Sequence, residues 1–383
     1  MNAALSVAGV TPRAVLVPAD RTELASIVRD LYAAEKAFAF VGGGTELDLG
    51  NAPRALDTVV RTTALDRAIE YSPEDQTITV EAGMRVAALD ALLAQHDQLL
   101  PLDVPDRQNA TVGGAIATNA FGARRHRYGS IKDLIVGIEI VRPDGVTARA
   151  GGKVVKNVAG FDLTKLMVGS LGTLAGIISA TFRVFPKPAH TQALLVHAAP
   201  HSTLFAALMN DVSLEPMAVV HYPTLGGVVL TFAGLEASVA GQIAHAGDLA
   251  ARHAVGCEAL AGPALERCMA FESAVRSGGE WRWTSRTSAA RARTAAAPAV
   301  ALALEVGYPT LGVTMASADD TAPMDGLIAS RGRSIVFRAM PPRARGRVDA
   351  WGEPPPSFAL MRALKANFDP KGLCNPGRFV GGL

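Results

Sequence analysis

The run Gly42-Gly43-Gly44-Thr45 is the first place in this chain where residue types and spacing point to chemistry. Consecutive glycines offer backbone N–H groups with no side chain in the way, as a nest for a phosphate requires. The same run also reads as a plain turn after the apolar strand that ends at Val41. It is not a Rossmann fingerprint, because Leu47 stands where the third glycine of G-x-G-x-x-G belongs, and no glycine-lysine-hydroxyl triplet of a Walker loop occurs. A second block, Thr111-Val-Gly-Gly-Ala, offers close backbone approach at Gly113 and Gly114 and hydroxyls at Thr111 and Thr118. It reads equally as a helix start packed tightly on a sheet. Arg124-Arg-His-Arg127 could neutralise a pyrophosphate or form a solvated face. Two glycine blocks so far apart in sequence suggest one large ligand held from several sides.

The remaining reactive side chains give little. His197 and His201 are four apart, but Pro200 between them breaks any helix that would present them together, so no metal site is expected. Three cysteines, Cys257, Cys268 and Cys374, lack the C-x-x-C spacing of zinc or cluster ligands and read as reduced thiols. Cys374 reads as a small buried residue and not as a nucleophile. Arg331, Arg333, Arg338, Arg343, Arg345 and Arg347, with Arg282, Arg286, Arg291 and Arg293, make two basic stretches. No aromatic platform accompanies them, so a surface facing an acidic protein partner is preferred to a nucleic-acid site.

The chain has 383 residues, 49% of them hydrophobic and 19% charged, with a formal net charge of +2. That balance is globular, and the length favours about two domains. The charge is too small to imply nucleic acid or an anionic membrane. At the N-terminus the first basic residue, Arg13, follows the apolar run, the wrong order for a secretory signal, and no apolar stretch reaches the ~20 residues of a membrane span. The expected compartment is cytoplasmic, with the inner membrane face reachable through partners.

The elements that must position these residues follow from periodicity. Asp20 with Glu23 reads as a capping pair for a helix carrying Leu24, Ile27, Val28 and Leu31. Residues 76–81 alternate as a strand, 86–95 read as a helix, 134–141 as a strand turned by Pro143-Asp-Gly145, and 177–185 as another strand. Asp162 caps a helix over 163–168. Twelve of the 37 glycines fall within residues 101–186, in blocks that include Asn157-Val-Ala-Gly-Phe-Asp162 and Gly169-Ser-Leu-Gly-Thr-Leu-Ala-Gly176. After Pro186-Lys-Pro188 the glycine blocks cease, and strands near 194–197, 217–221, 227–232 and 302–306 alternate with helices near 203–209 and 236–254. A stiff Pro354-Pro-Pro356 connector precedes a helix over 358–368.

The stretches Tyr128-Gly-Ser-Ile-Lys-Asp-Leu-Ile-Val-Gly137, Lys156-Asn-Val-Ala-Gly-Phe-Asp-Leu-Thr-Lys-Leu-Met-Val-Gly-Ser170 and Phe368-Asp-Pro-Lys-Gly-Leu-Cys-Asn-Pro-Gly-Arg378 resemble the vanillyl-alcohol-oxidase type of flavoprotein. The closer resemblance is to the flavin-binding E subunits of bacterial glycolate oxidase, over residues 10–186 and 358–380. It implies an α+β fold: a two-subdomain PCMH-type FAD-binding domain over 1–188, a smaller α+β cap over 189–350, and a C-terminal segment, 351–383, packing back on the first domain. The resemblance implies FAD with its pyrophosphate near Gly42, Gly43, Gly44, Thr45, Glu46 and Leu47. It implies further contacts from Pro101, Leu102 and Asp103, from Val112, Gly113, Gly114, Thr118 and Asn119, and from Gly122, Arg124 and Tyr128. Gly176, Ile177, Ile178 and Asn375 complete the implied set. Some relatives attach FAD through a histidine in the first glycine loop; that loop is Gly-Gly-Gly-Thr here, so non-covalent FAD is expected. Self-sufficient 2-hydroxy-acid dehydrogenases of this branch carry Gly-Asp-Gly-Asn-x-His and Glu-His-Gly stretches, and this chain has neither. No catalytic base is therefore assigned. The resemblance implies one subunit of a glycolate-oxidising complex, beside a catalytic flavin subunit and an iron–sulfur subunit. A self-sufficient 2-hydroxy-acid dehydrogenase, with Arg378 or an arginine of the middle domain holding the substrate carboxylate, and a structural subunit without FAD are the alternatives.

Overall fold

The computed structural model describes residues 5–152, 162–286, 303–330 and 334–383. The chain divides into two compact units, the first made of Met1–Phe121, Ser130–Pro186 and Arg338–Leu383, the second of Gly122–Gly129 and Lys187–Phe337. Both mix helices with sheet, as an α+β chain should. The unit boundaries differ from the sequence expectation at three places: residues 338–350 belong to the first unit, and 122–129 and 187–188 to the second.

In the first unit a three-stranded parallel sheet, ordered Ala14–Leu16, Thr58–Arg61, Phe38–Val41, precedes a five-stranded antiparallel sheet. The larger sheet is ordered Ala68–Ser72, Thr77–Glu81, Gly176–Arg183, Ile135–Val141, Thr147–Gly151. The helix Arg21–Ala33 starts where the capping pair requires. Asp20 accepts from the N–H groups of Thr22 (2.8 Å) and Glu23 (2.9 Å), and Glu23 reaches back to the N–H of Ala19 (2.7 Å). Its Leu24 and Val28 bury fully beside Phe38, Val60 and Val141, which fixes the helix on the parallel sheet. Helices Val86–Ala94 and Val112–Thr118 share a larger core with the antiparallel sheet through Leu89, Leu93, Ile116, Ile138 and Phe182. The stretch Lys156-Asn-Val-Ala-Gly-Phe lies outside the described residues; from Asp162 onward the chain is described, and that residue caps the helix Leu163–Met167 as expected.

The C-terminal stretch joins the parallel sheet. Phe38 donates to the carbonyl of Leu373 (2.9 Å) and Asn375 to that of Phe38 (2.6 Å), so residues 373–375 run beside Phe38–Val41. The helix Phe358–Phe368 holds this arrangement with a buried lysine. Lys365 Nζ donates to Asp369 Oδ2 (2.6 Å) and to the carbonyls of Thr173 (2.7 Å) and Cys374 (2.8 Å), which satisfies all three of its donors. Burial pushes the neighbouring Cys374 thiol up to about 12, against the pull of Lys365, so it stays protonated and inert. Cys268 is also buried and pushed up by burial, whereas Cys257 is exposed. A thiol reagent is therefore expected to modify Cys257 alone in the native protein and all three cysteines in denaturant, counted by mass spectrometry.

The second unit is built on one eight-stranded sheet, ordered Cys257–Leu260, His190–Val196, Gly227–Gly234, Ala218–Tyr222, Leu304–Tyr308, Val313–Ala318, Trp281–Arg286, Ile335–Ala339. Helices Thr203–Asn210 and Glu236–Arg252 cover Leu194, Val219, Leu230 and Phe232. The strands Val313–Ala318, Trp281–Arg286 and Ile335–Ala339 and the helix Pro263–Ser277 are not evident in the sequence, whereas Leu304–Tyr308 answers to the strand expected near 302–306. The strand Trp281–Arg286 buries both tryptophans and also Arg282, whose Nη1 donates to the carbonyl of Arg276 (3.0 Å). Arg282 is thus a core residue and not part of a basic surface. Arg291, Arg293, Arg331 and Arg333 lie outside the described residues.

Candidate functional site

A groove in the first unit, with about 940 Å³ of empty space including its open mouth, lies between the end of strand Phe38–Val41 and the start of helix Val112–Thr118. The chain leaves that strand as Gly42-Gly43-Gly44-Thr45. Among the described residues the backbone N–H groups of residues 42–46 meet no protein acceptor. A row of unsatisfied amides is how a backbone nest receives an anionic oxygen.

The glycines serve the groove in two ways. A Cβ on Gly42 would lie 2.0 Å from Thr111 Oγ1, and one on Gly43 only 1.7 Å from the Asn109 carbonyl oxygen. Gly42 is glycine because the Thr111 side chain lies on it, and Gly43 because the two loops touch backbone to backbone there; both contacts set the groove's floor. Gly44 differs: its φ of +80° is the left-handed turn that redirects the chain, and a Cβ there would have room. In the second block Gly113 donates to the Ala82 carbonyl (2.7 Å) and packs against it, so its amide is already used. Gly114 is the roomier position, its missing Cβ meeting only Thr111 Oγ1 at 3.2 Å.

Of the residues expected at the cofactor, the groove is lined by Gly42, Gly43, Gly44, Thr45, Glu46 and Leu47, and by Gly113, Gly114, Thr118, Ile177 and Asn375. The others do not line it. Pro101 and Leu102 are buried and Asp103 half-buried in the loop before the groove, Val112 sits in the core, and Asn119 ends its helix with φ +49°. Gly176 packs under the Phe40 ring, and Ile178 faces the core shared with Phe38. Gly122, Arg124 and Tyr128 belong to the second unit. There His126 Nδ1 lies 3.0 Å from Thr310 Oγ1 and Arg127 donates to the Ala233 carbonyl (3.0 Å), so the run read as a phosphate clamp is tied to its own unit. Burial lowers the His126 pKa. Sequence reasoning gave no groove contact to Leu171 and Gly172, although the Gly-Thr-Leu stretch at 172 was a signal for them.

The groove's polar atoms suit a large polar ligand. Glu46 and Arg378 are the only ionisable side chains that line it, among the described residues. Glu46 pairs with Arg338 through Oε2 (3.0 Å) and leaves Oε1 buried without a partner. Asn375 donates to the Leu171 carbonyl (2.6 Å) and leaves its Oδ1 buried without one. Arg378 donates to the carbonyls of Leu47, Leu49 and Asn51 and leaves Nε unused. Unmade hydrogen bonds of this kind cost about 1–3 kcal/mol each. Burial brings Arg378 down to about 10, opposed by Asp48, which still leaves it a cation at neutral pH. The free amides, the apolar walls and the polar wall atoms fit FAD, whose phosphates, hydroxyls and ring edge call for each.

Comparison with known proteins agrees with this geometry. Residues 12–151 match the family described as FAD binding domain, and residues 352–379 match FAD linked oxidases, C-terminal domain. The chain is similar to D-2-hydroxyglutarate dehydrogenase of Xanthomonas citri pv. viticola, at 31% identity over 53% of this chain and 44% of that protein. It is similar to D-lactate dehydrogenase of Archaeoglobus fulgidus, at 36% identity over 46% of this chain and 41% of the relative. A shorter match, 38% identical over 31% of this chain and 35% of the relative, is to glycolate oxidase subunit GlcE of Escherichia coli. The matches span less than half the length of each of these relatives. In fold, the chain is like a solved alkyldihydroxyacetonephosphate synthase, with a TM-score of 0.67 and 18% identity over 94% of this chain and 75% of that one. The likeness to FAD binding domains thus falls on residues 12–151, and that to the C-terminal domain of FAD linked oxidases on residues 352–379.

Proposed function

We propose that this chain binds FAD without a covalent bond and serves as the FAD-binding subunit of a complex that oxidises glycolate to glyoxylate. The amides of residues 42–46 would hold the pyrophosphate, Gly114, Thr118, Ile177 and Asn375 would line the rest of the cofactor, and among the described residues no histidine lines the groove for attachment. Bound FAD supplies the acceptor for the hydride that leaves the α-carbon. The hydroxyl proton must go to a base, and one observation carries the subunit reading: among the described residues that line the groove none is free to act as one. Glu46 is held by Arg338, and Arg378 is a cation with its terminal nitrogens committed to backbone carbonyls. A partner flavin subunit would bring the base, and an iron–sulfur subunit would carry the electrons on, since the cysteines here are scattered and inert or isolated. Among the described residues no helix is long and apolar enough to cross a membrane. We assign the complex to the cytoplasm or the inner membrane face.

The self-sufficient reading draws support from the dehydrogenase relatives, but Arg378 has no free fork left for a substrate carboxylate. The discriminating experiment is the visible spectrum of the purified chain before and after anaerobic glycolate. A flavin spectrum that does not change, but bleaches once the partner subunits are added, is the expected result. Bleaching by the chain alone would establish the self-sufficient dehydrogenase instead. Colourless protein that takes up no added FAD would leave only a structural subunit. Flavin retained after denaturation would overturn non-covalent binding.

A further inference from the structure

The loop that follows the glycine run is held almost entirely from the far end of the chain. Arg345 Nη2 donates to Asp48 Oδ1 (2.6 Å) while its Nε donates to the Met340 carbonyl (3.0 Å), and its side chain lies on the backbone of Gly9. Arg338 holds Glu46. Arg378 holds the carbonyls of Leu47, Leu49 and Asn51 at 2.9, 2.6 and 2.9 Å. Asn51 completes the seam, giving a hydrogen bond to Asp349 (2.8 Å) and taking one from the N–H of Ala350 (2.7 Å). Residues 46–51 have no strand or helix of their own; the only backbone bond within them is from Leu49 to Glu46.

We infer that the segment 338–378 is the positioning element of the FAD site: its arginines fix the conformation of residues 42–51, and with it the affinity for FAD. The inference rests on the FAD reading above. An isolated loop of this composition samples many conformations, and binding weakens by the fraction of time it spends in the competent one. Arg338 and Arg345 act from outside the groove, whereas Arg378 lines it. Arg345 does not line the groove at all, so any effect of its loss on FAD passes through Asp48 and the loop. The cofactor site is consequently incomplete until the C-terminal segment has returned to the first unit.

The test uses the full-length apoprotein and FAD itself, followed by quenching of flavin fluorescence. Arg345→Ala is expected to raise the Kd for FAD about tenfold, the factor for a loop that is competent about a tenth of the time. The Arg345–Asp48 pair is partly exposed, 19% at Arg345 and 40% at Asp48, so the variant should fold; the apoprotein's melting temperature reports this separately. A charge swap, Asp48→Arg with Arg345→Asp, should recover most of the affinity, which a general loss of stability would not do. Wild-type affinity in Arg345→Ala would overturn the inference, as would a swap no better than the single variants. A wild-type chain that takes up no FAD would instead overturn the FAD reading, and the inference with it.

Discussion

Gly43→Ala should collapse the groove and not merely narrow it. The added Cβ would lie 1.7 Å from the Asn109 carbonyl oxygen and 2.7 Å from its carbon, and both are backbone atoms that cannot rotate aside. The two loops must separate, which costs about 3 kcal/mol if the overpacking is typical of a tight site. The floor of the FAD site moves with them, so flavin binding should fall by about a hundredfold, the equivalent of that loss. Gly114→Ala makes the informative contrast. Its Cβ meets only Thr111 Oγ1 at 3.2 Å, and alanine is the better helix former by about 1 kcal/mol. Gly114→Ala should therefore leave the apoprotein as stable as wild type while weakening FAD, because the methyl group enters the groove. Urea unfolding of the apoprotein and FAD titration separate the two effects. Equal stability of Gly43→Ala and wild type would show that the loops do not pack as described.

Lys365→Met carries the second large effect, on stability alone. The lysine ammonium sits between Asp369 and two carbonyls in a site almost sealed from water. Removing it strands the Asp369 carboxylate, 2% exposed, and leaves the carbonyls of Thr173 and Cys374 without their donor. Breaking one side of a buried pair costs about 3–5 kcal/mol. The midpoint of urea unfolding should drop accordingly with its slope unchanged. Adding Asp369→Asn should restore part of the loss, because the stranded charge disappears while an acceptor remains for the N–H of Cys374, now bound at 2.8 Å. A double variant as unstable as the single one would mean that the charge was never the problem.

Several elements could be read directly because their cause is local. The helix Arg21–Ala33 follows from Asp20, Glu23 and a period near 3.6, and the strand Thr77–Glu81 from simple alternation. The outer strands of the second unit escaped for an equally physical reason. Trp281–Arg286 buries Arg282, Thr284 and Ser285 as well as its two tryptophans, so its mixed pattern does not announce a strand buried on both faces. The arginine stretch near 340 misled in the same way. Arg338 and Arg345 were read as a surface for an acidic partner, yet they bond Glu46 and Asp48, about three hundred residues away. Charge alone does not say whether its counter-charge is solvent, another protein or a distant loop of the same chain.

By itself, the sequence determined that glycine-rich loops alternate with strands in an α+β chain and that no histidine stands in the first loop, and it suggested one ligand for the Gly42–Thr45 and Thr111–Gly114 blocks. Those properties live in residue type and short spacing, where backbone conformation and local periodicity leave their mark. Only the tertiary structure decided which glycines meet protein and which face open space, which amides remain free, and that residues 338–378 grip the loop that follows the first block. These depend on contacts between segments far apart in the chain. Such contacts are set by how the whole core packs, and no local pattern records them.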